Sequence, residues 1–196
     1  MDQTVGTASV PEQLMENSPS SLMPPTSTGI QRLAVVVHNN TSRQVNALEV
    51  AATGRSGEGT LHASGATDDV APAIVPPGGR SLGYIFFSDP PAEGLEWTFS
   101  VNPGASFGGG FETNLTVTEV NTSGESIVGS VVNDSGGSVR FARVVYVCFG
   151  ATGQPTTANS VFTSPIDLTS GQPASFSDEH RTACETYLAA SAGRRG

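Results

Sequence analysis

Leu33-Ala34-Val35-Val36-Val37-His38-Asn39-Asn40 and Ile127-Val128-Gly129-Ser130-Val131-Val132-Asn133-Asp134 read as two versions of one unit. Each is an apolar run of strand-forming residues that stops at an Asn-containing turn. A second strand-like run and a loop follow: Pro76-Pro77-Gly78-Gly79 in one, Thr169-Ser170-Gly171 in the other. A glycine then precedes an aromatic by the same interval, Gly79 before Tyr84 and Gly171 before Phe176. A repeated β unit of this length is a scaffold signature. It divides the chain into an arm over 1–29 and modules over 30–110 and 111–196.

The chain has 196 residues, enough for one large domain or two small ones. The repeat selects two, each close to the ~100 residues of an immunoglobulin-type sandwich. With 23 Gly and 13 Pro, turns are plentiful, and the apolar residues are rich in Val, Ile and Phe. The fold class expected is all-β: two tandem immunoglobulin-like β-sandwich modules behind a flexible N-terminal arm. Strands are expected over Gln31–His38, Val45–Thr53, Gly59–Ala63, Ala71–Ile74, Arg80–Ser88 and Leu95–Asn102. In the second module they are expected over Asn114–Val120, Ser126–Val132, Val139–Phe149, Ser160–Thr163, Ala174–Ser177 and Thr186–Ala190. No helical pattern separates them, so meanders and Greek keys are expected rather than βαβ units. In the arm, Pro11, Pro19, Pro24 and Pro25 break any helix. It reads as a tether, or as a segment that orders by adding to a sheet edge of a neighbour.

Charge excludes several functions. The net charge is −9, and all nine basic side chains are Arg, with no Lys. Lysine-imine chemistry and a Walker A loop are therefore excluded. No segregated basic patch argues for a nucleic-acid partner. No apolar run reaches the length of a membrane-spanning helix. Met1-Asp2-Gln3-Thr4-Val5-Gly6 has neither the basic segment nor the apolar core of a secretory signal, which leaves a cytosolic chain or a trimmed form.

Val139–Phe149 is the longest expected strand, and its faces differ. Ala142, Val144, Tyr146 and Cys148 fall on one; Arg143, Val145, Val147 and Phe149 fall on the other. Arg143 marks the second face as outward. Val145, Val147 and Phe149 then form an apolar outer strip, covered by a loop or the other module, or offered to a partner.

The second module resembles the FxLYD-domain family of bacterial immunoglobulin-like modules over roughly residues 115–190. The resemblance rests on Val128-Gly129-Ser130-Val131-Val132-Asn133, Phe141-Ala142-Arg143-Val144-Val145, and Tyr146-Val147-Cys148-Phe149-Gly150 with Gly153. It ends on Ile166-Asp167-Leu168-Thr169-Ser170-Gly171-Gln172-Pro173-Ala174-Ser175-Phe176. In the signature, Tyr146 stands for Phe, Cys148 for Leu, Phe149 for Tyr and Gly150 for Asp. In the first module, Val50-Ala51-Ala52-Thr53-Gly54 fills the same slot without an aromatic. The resemblance implies an immunoglobulin-like sandwich outside the cytoplasm, often tethered to a membrane, and brings no catalytic residues.

Cys148 and Cys184 are the only cysteines. They form a disulfide or remain two buried thiols. Without a CxxC spacing or a histidine pair they do not read as a zinc site. His38, His62 and His180 show no metal or catalytic spacing. Gly104-Ala105-Ser106-Phe107-Gly108 matches a nucleophile elbow in letters, but a strand-like segment follows where a helix is required. Asp68, Asp69, Asp89, Glu93, Asp178 and Glu179 read as turn acids rather than a calcium loop. Trp97 alternates with Leu95 and Phe99 and reads as core. Asn39, Asn40, Asn114, Asn121 and Asn133 head Asn-x-Ser/Thr triplets that read as turn composition.

The function expected is non-catalytic, with no catalytic residues, cofactor or metal. It is an extracytoplasmic structural or assembly module with protein partners or self-association, through sheet edges, the arm or the Val145/Val147/Phe149 strip. The alternative is a monomeric cell-surface module that binds a glycan, peptide or protein, with any membrane tether outside this chain. An exposed aromatic beside a formed groove would favour the alternative.

Overall fold

Alternating apolar residues dictate strands whose two faces part company, and the computed structural model shows strands throughout. It describes residues 22–25, 29–46, 48–67, 69–102, 111–123, 125–180 and 184–196. Among them there is no helix. The strands are β1 (Gln31–His38), β2 (Val45–Asn46), β3 (Glu49–Arg55), β4 (Leu61–Thr67), β5 (Val70–Ala71), β6 (Ile74–Val75), β7 (Arg80–Phe87) and β8 (Glu96–Asn102). After 103–110 come β9 (Glu112–Ser123), β10 (Ser126–Val132), β11 (Val139–Phe149), β12 (Pro155–Phe162), β13 (Pro173–Glu179) and β14 (Thr186–Arg195). β1, β10 and β11 have the expected limits. The expected Val45–Thr53 strand divides into β2 and β3, and Ala71–Ile74 divides into β5 and β6, because the chain crosses between sheets there.

No sheet mixes strands from before and after 103–110 among the described residues. In the first half, β1-β7-β5 lies over β4-β3-β8, with β2-β6 as a short ribbon. Between them sit Leu33, Val35, Val37, Leu48, Val50, Ala52, Ile85 and Phe87. In the second half, the order is β12-β11-β14-β9-β10-β13. Long β9 serves both layers: Glu112–Leu115 pair with β14, and Thr116–Ser123 pair with β10. The enclosed core holds Leu115, Ile127, Val131, Val139, Ala142, Val144, Tyr146, Cys148 and Phe176.

The repeat is visible bond by bond. Asn39 is buried, and its Nδ2 donates to the carbonyls of Arg43 and Val75 while its Oδ1 accepts from the Thr41 N–H and hydroxyl. Asn133 does the same with Gly137, Leu168 and Ser135. The N–H of Gly78 reaches the Asn39 carbonyl, and that of Gly171 reaches the Asn133 carbonyl. Both glycines have positive φ, 72° and 76°. Gly78, not Gly79, is therefore the counterpart of Gly171, which shifts the sequence alignment by one residue. Phe176 then corresponds to Gly83, not to Tyr84. The cross-strand pair Val35/Gly83 in the first half becomes Gly129/Phe176 in the second. A bulky residue and a glycine have exchanged strands, so each pair fills its space once.

The two halves pack against each other. Ala34 and Val36 of β1, Leu82 and Tyr84 of β7, and Ala71 and Ala73 meet Val145, Val147 and Phe149 of β11. Ala158, Leu188, Ala190 and Ala192 complete the seam. Both β1 and β11 are thus buried on both faces, which is why their apolar runs are nearly continuous.

Candidate functional site

The Val145/Val147/Phe149 strip is not open to a separate partner. All three side chains are buried under the first half, Val145 completely. The sequence defines the strip through alternation but holds no local signal of what covers it. Polar groups then fix the seam. Arg143 Nε donates to Asp69 Oδ1 at 2.5 Å, and Arg143 also lies 3.4 Å from Glu112. Arg143 is on the expected face, yet its side chain is only 12% exposed, because Asp69 crosses from the first half to neutralise it. Asp69, with its side chain 39% exposed, is thus an ion-pair partner across the seam as well as a loop acid. Asn114 bonds the backbone of Ile74 in both directions, N–H to Oδ1 at 2.8 Å and Nδ2 to carbonyl at 2.7 Å.

The arm's last described part also enters this seam. Leu22 bridges to Leu33, the Met23 N–H donates to the Arg32 carbonyl, and Gln31 Nε2 donates to the Met23 carbonyl. Met23 is 3% exposed and packs with Ala34, Val147, Phe149 and Ala158. The arm thus adds to the free edge of β1. Residues 1–21 lie outside the described residues.

Cys148 and Cys184 form a disulfide in the second core, with Cα atoms 5.0 Å apart. His180 is buried beside them. A ring nitrogen and both sulfurs all lie within 4.8 Å of one another. Sequence reading missed this association. The signal available was the short spacing from His180 to Cys184, at the end of β13. Its significance depends on β11 bringing Cys148 across the sandwich.

Tyr146, Asp178 and Asn159 form a second polar group between the layers. Tyr146 Oη donates to Asp178 Oδ2 at 2.5 Å, and Asn159 Nδ2 donates to the same oxygen at 2.8 Å. Burial of the phenol, reinforced by the Asp178 acceptor and its charge, holds the Tyr146 pKa far above its ordinary value. This stabilises the neutral donor and withholds a phenolate nucleophile. Tyr84 is also raised, first by burial and then by the Asp69 charge.

The remaining sequence candidates stay apart. His38 closes β1 beside Arg80, and His62 is exposed on β4. Asp89, Glu93 and Glu179 are exposed. Trp97 packs on the first core, its ring 5.5 Å from that of Phe87. Asn39 and Asn133 are buried turn organisers and Asn114 is bonded to Ile74, leaving Asn40 and Asn121 exposed. The Gly104–Gly108 motif with Ser106, and Asp68, lie outside the described residues. On the outer face of β9-β10-β13, a shallow groove of about 540 Å³ is lined by Glu119, Asn121, Ser130, Ser175 and Ser177, with exposed Phe162 among its walls.

No helix among the described residues is long and apolar enough to cross a membrane. Compared with known protein families and with curated proteins, the chain matches none.

Proposed function

We propose that this chain is a non-catalytic, extracytoplasmic structural module, built as two tandem immunoglobulin-like sandwiches over 30–110 and 111–196, that joins copies of itself through its N-terminal arm. The observation that carries this reading is the docking of Leu22 and Met23 on the β1 edge, with Met23 sealed in the seam between the halves. The site is an anchor pocket plus a strand edge, the two elements of recognition by strand addition. Exchange of an identical element between protomers reproduces the same contacts in trans at low cost. Pro24 and Pro25, immediately after the anchor, stiffen the segment about which the arm would turn. The disulfide supports a place outside the reducing cytoplasm, in keeping with the FxLYD resemblance of the second half. The covered strip supports a stiff pair of modules rather than two beads on a linker.

A second reading is a monomeric ligand-binding module. The groove with Phe162 favours it, since an aromatic wall beside hydroxyl and amide groups suits a glycan. Light scattering behind a sizing column separates the two. Self-assembly predicts concentration-dependent species in the intact chain and a 20.1 kDa monomer for Met23→Asp. A monomer at every concentration in both chains overturns the assembly reading.

A further inference from the structure

The two halves fill one corresponding corner in chemically different ways. In the first half, Gly54 lies opposite Trp97 on β8, and a Cβ built on it would meet the Leu95 and Trp97 side chains at 2.9–3.1 Å. Phe87 closes the corner against Trp97. The register makes Cys148 the counterpart of Gly54 and His180 the counterpart of Phe87. Carbon alone therefore suffices to pack this corner. The second half instead places two sulfurs and an imidazole there, all buried, with the three donor atoms within 4.8 Å.

The geometry points to a cryptic metal site: with the disulfide reduced, Cys148, Cys184 and His180 bind a soft d10 cation, for which zinc(II) is the probe. A small dithiol gives two electrons and two protons to the S–S bond and becomes its own disulfide, leaving two protein thiols. Zinc then displaces both thiol protons. Two thiolates and a divalent ion sum to zero charge, so the bound site adds no net charge to the buried core it joins. Thiolate and imidazole are the donor types that zinc selects, and three protein ligands leave its fourth position for water. The backbone restrains each ligand: Cys148 is paired on both sides, to Thr157 and Tyr187, and the His180 N–H donates to the Glu125 carbonyl. Cys184, 8% exposed and followed by exposed Glu185, places the site at the solvent end of the core.

The test uses the full chain reduced with a phosphine, which takes oxygen from water as the two sulfurs take protons, and which leaves no competing thiol. Cobalt(II) is titrated as a spectroscopic stand-in and then displaced by zinc. The expected result is one ion per chain, thiolate charge-transfer and tetrahedral d–d absorption, and no such spectrum from the oxidised chain. Cys148→Ser should abolish the spectrum. His180→Phe restores the first half's solution to the same corner, so it should keep its circular dichroism while binding at least about tenfold more weakly. Folding of the reduced chain only on zinc addition also supports the site. Absence of thiolate–cobalt absorption, or equal binding by His180→Phe, overturns it.

Discussion

The first and second halves share a turn and differ in what they put behind it. Asn39 and Asn133 make the same hydrogen bonds to the same positions of their loops. The inner layers then diverge. Ala52, Gly65 and Ile85 in the first half occupy the positions of Tyr146, Asn159 and Asp178 in the second. Ile85 lies over Gly65 so closely that a Cβ there would come within 2.6 Å of it. In the second half an aspartate accepts from a tyrosine and an asparagine instead. One scaffold thus tolerates a carbon-filled interior and a polar one, provided each is internally complete. Ile85 needs the absent side chain at Gly65, and Asp178 needs both donors.

The disulfide is the sharpest difference between the halves, and its removal should have the largest effect. The chain-entropy model gives about 3–4 kcal/mol for closing a loop of this size, with the cysteines 36 residues apart. The double variant Cys148→Ala/Cys184→Ala should lower the urea midpoint correspondingly. Reduction of the parent chain should produce the same shift. A loss below about 1 kcal/mol would mean that the second half, like the first, is held by packing alone.

The asparagine turns come next and test the equivalence directly. Each buried amide makes two donor bonds and accepts two, and each net bond is worth about 1 kcal/mol. Asn39→Ala and Asn133→Ala should each cost about 2–3 kcal/mol in denaturant unfolding. Similar losses are expected, because the same carbonyl and N–H groups are left without partners. A severalfold difference between the two would show that the shared geometry hides unequal dependence.

Much of this was legible in the sequence. β1, β10 and β11 follow from uninterrupted apolar runs bounded by Asn- and Gly-rich turns, and the face assignment of β11 follows from alternation. The ends of β12 and β14 were not legible. Thr156 and Asn159 are polar residues in β12, and Ala189–Gly193 are small residues in β14, made strand by pairing with β11 rather than by propensity. The junction was half legible. Val145, Val147 and Phe149 announce an apolar strip that a loop, the other module or a partner could take, and Ala34 and Val36 become its cover only through tertiary packing. The association of His180 with the disulfide was hinted at only by the short spacing from His180 to Cys184, since it joins β11 to the end of β13. The one-residue alignment error arose because Gly78-Gly79 offers two glycines where the second half has one, and only φ and the bond to Asn39 choose between them.

The polar trio gives the smallest effect and a signature in pH. Tyr146→Phe removes one hydrogen bond to Asp178 while keeping the ring, so its cost near neutral pH should be about 1–2 kcal/mol. Burial and the Asp178 acceptor raise the phenol pKa in the folded chain, whereas the unfolded value stays near about 10. A raised folded pKa means that the folded chain holds this proton more tightly. The associated stability is complete below about pH 10 and declines as pH rises beyond it. Denaturation midpoints measured from neutral into alkaline pH should therefore fall more steeply for the parent than for Tyr146→Phe. The corresponding change in the first half is absent by construction, because Ala52 has no proton to lose. Parallel alkaline profiles for parent and variant would sink the assignment of Tyr146 as a locked neutral donor, and with it the view that the second interior is held by a complete polar trio.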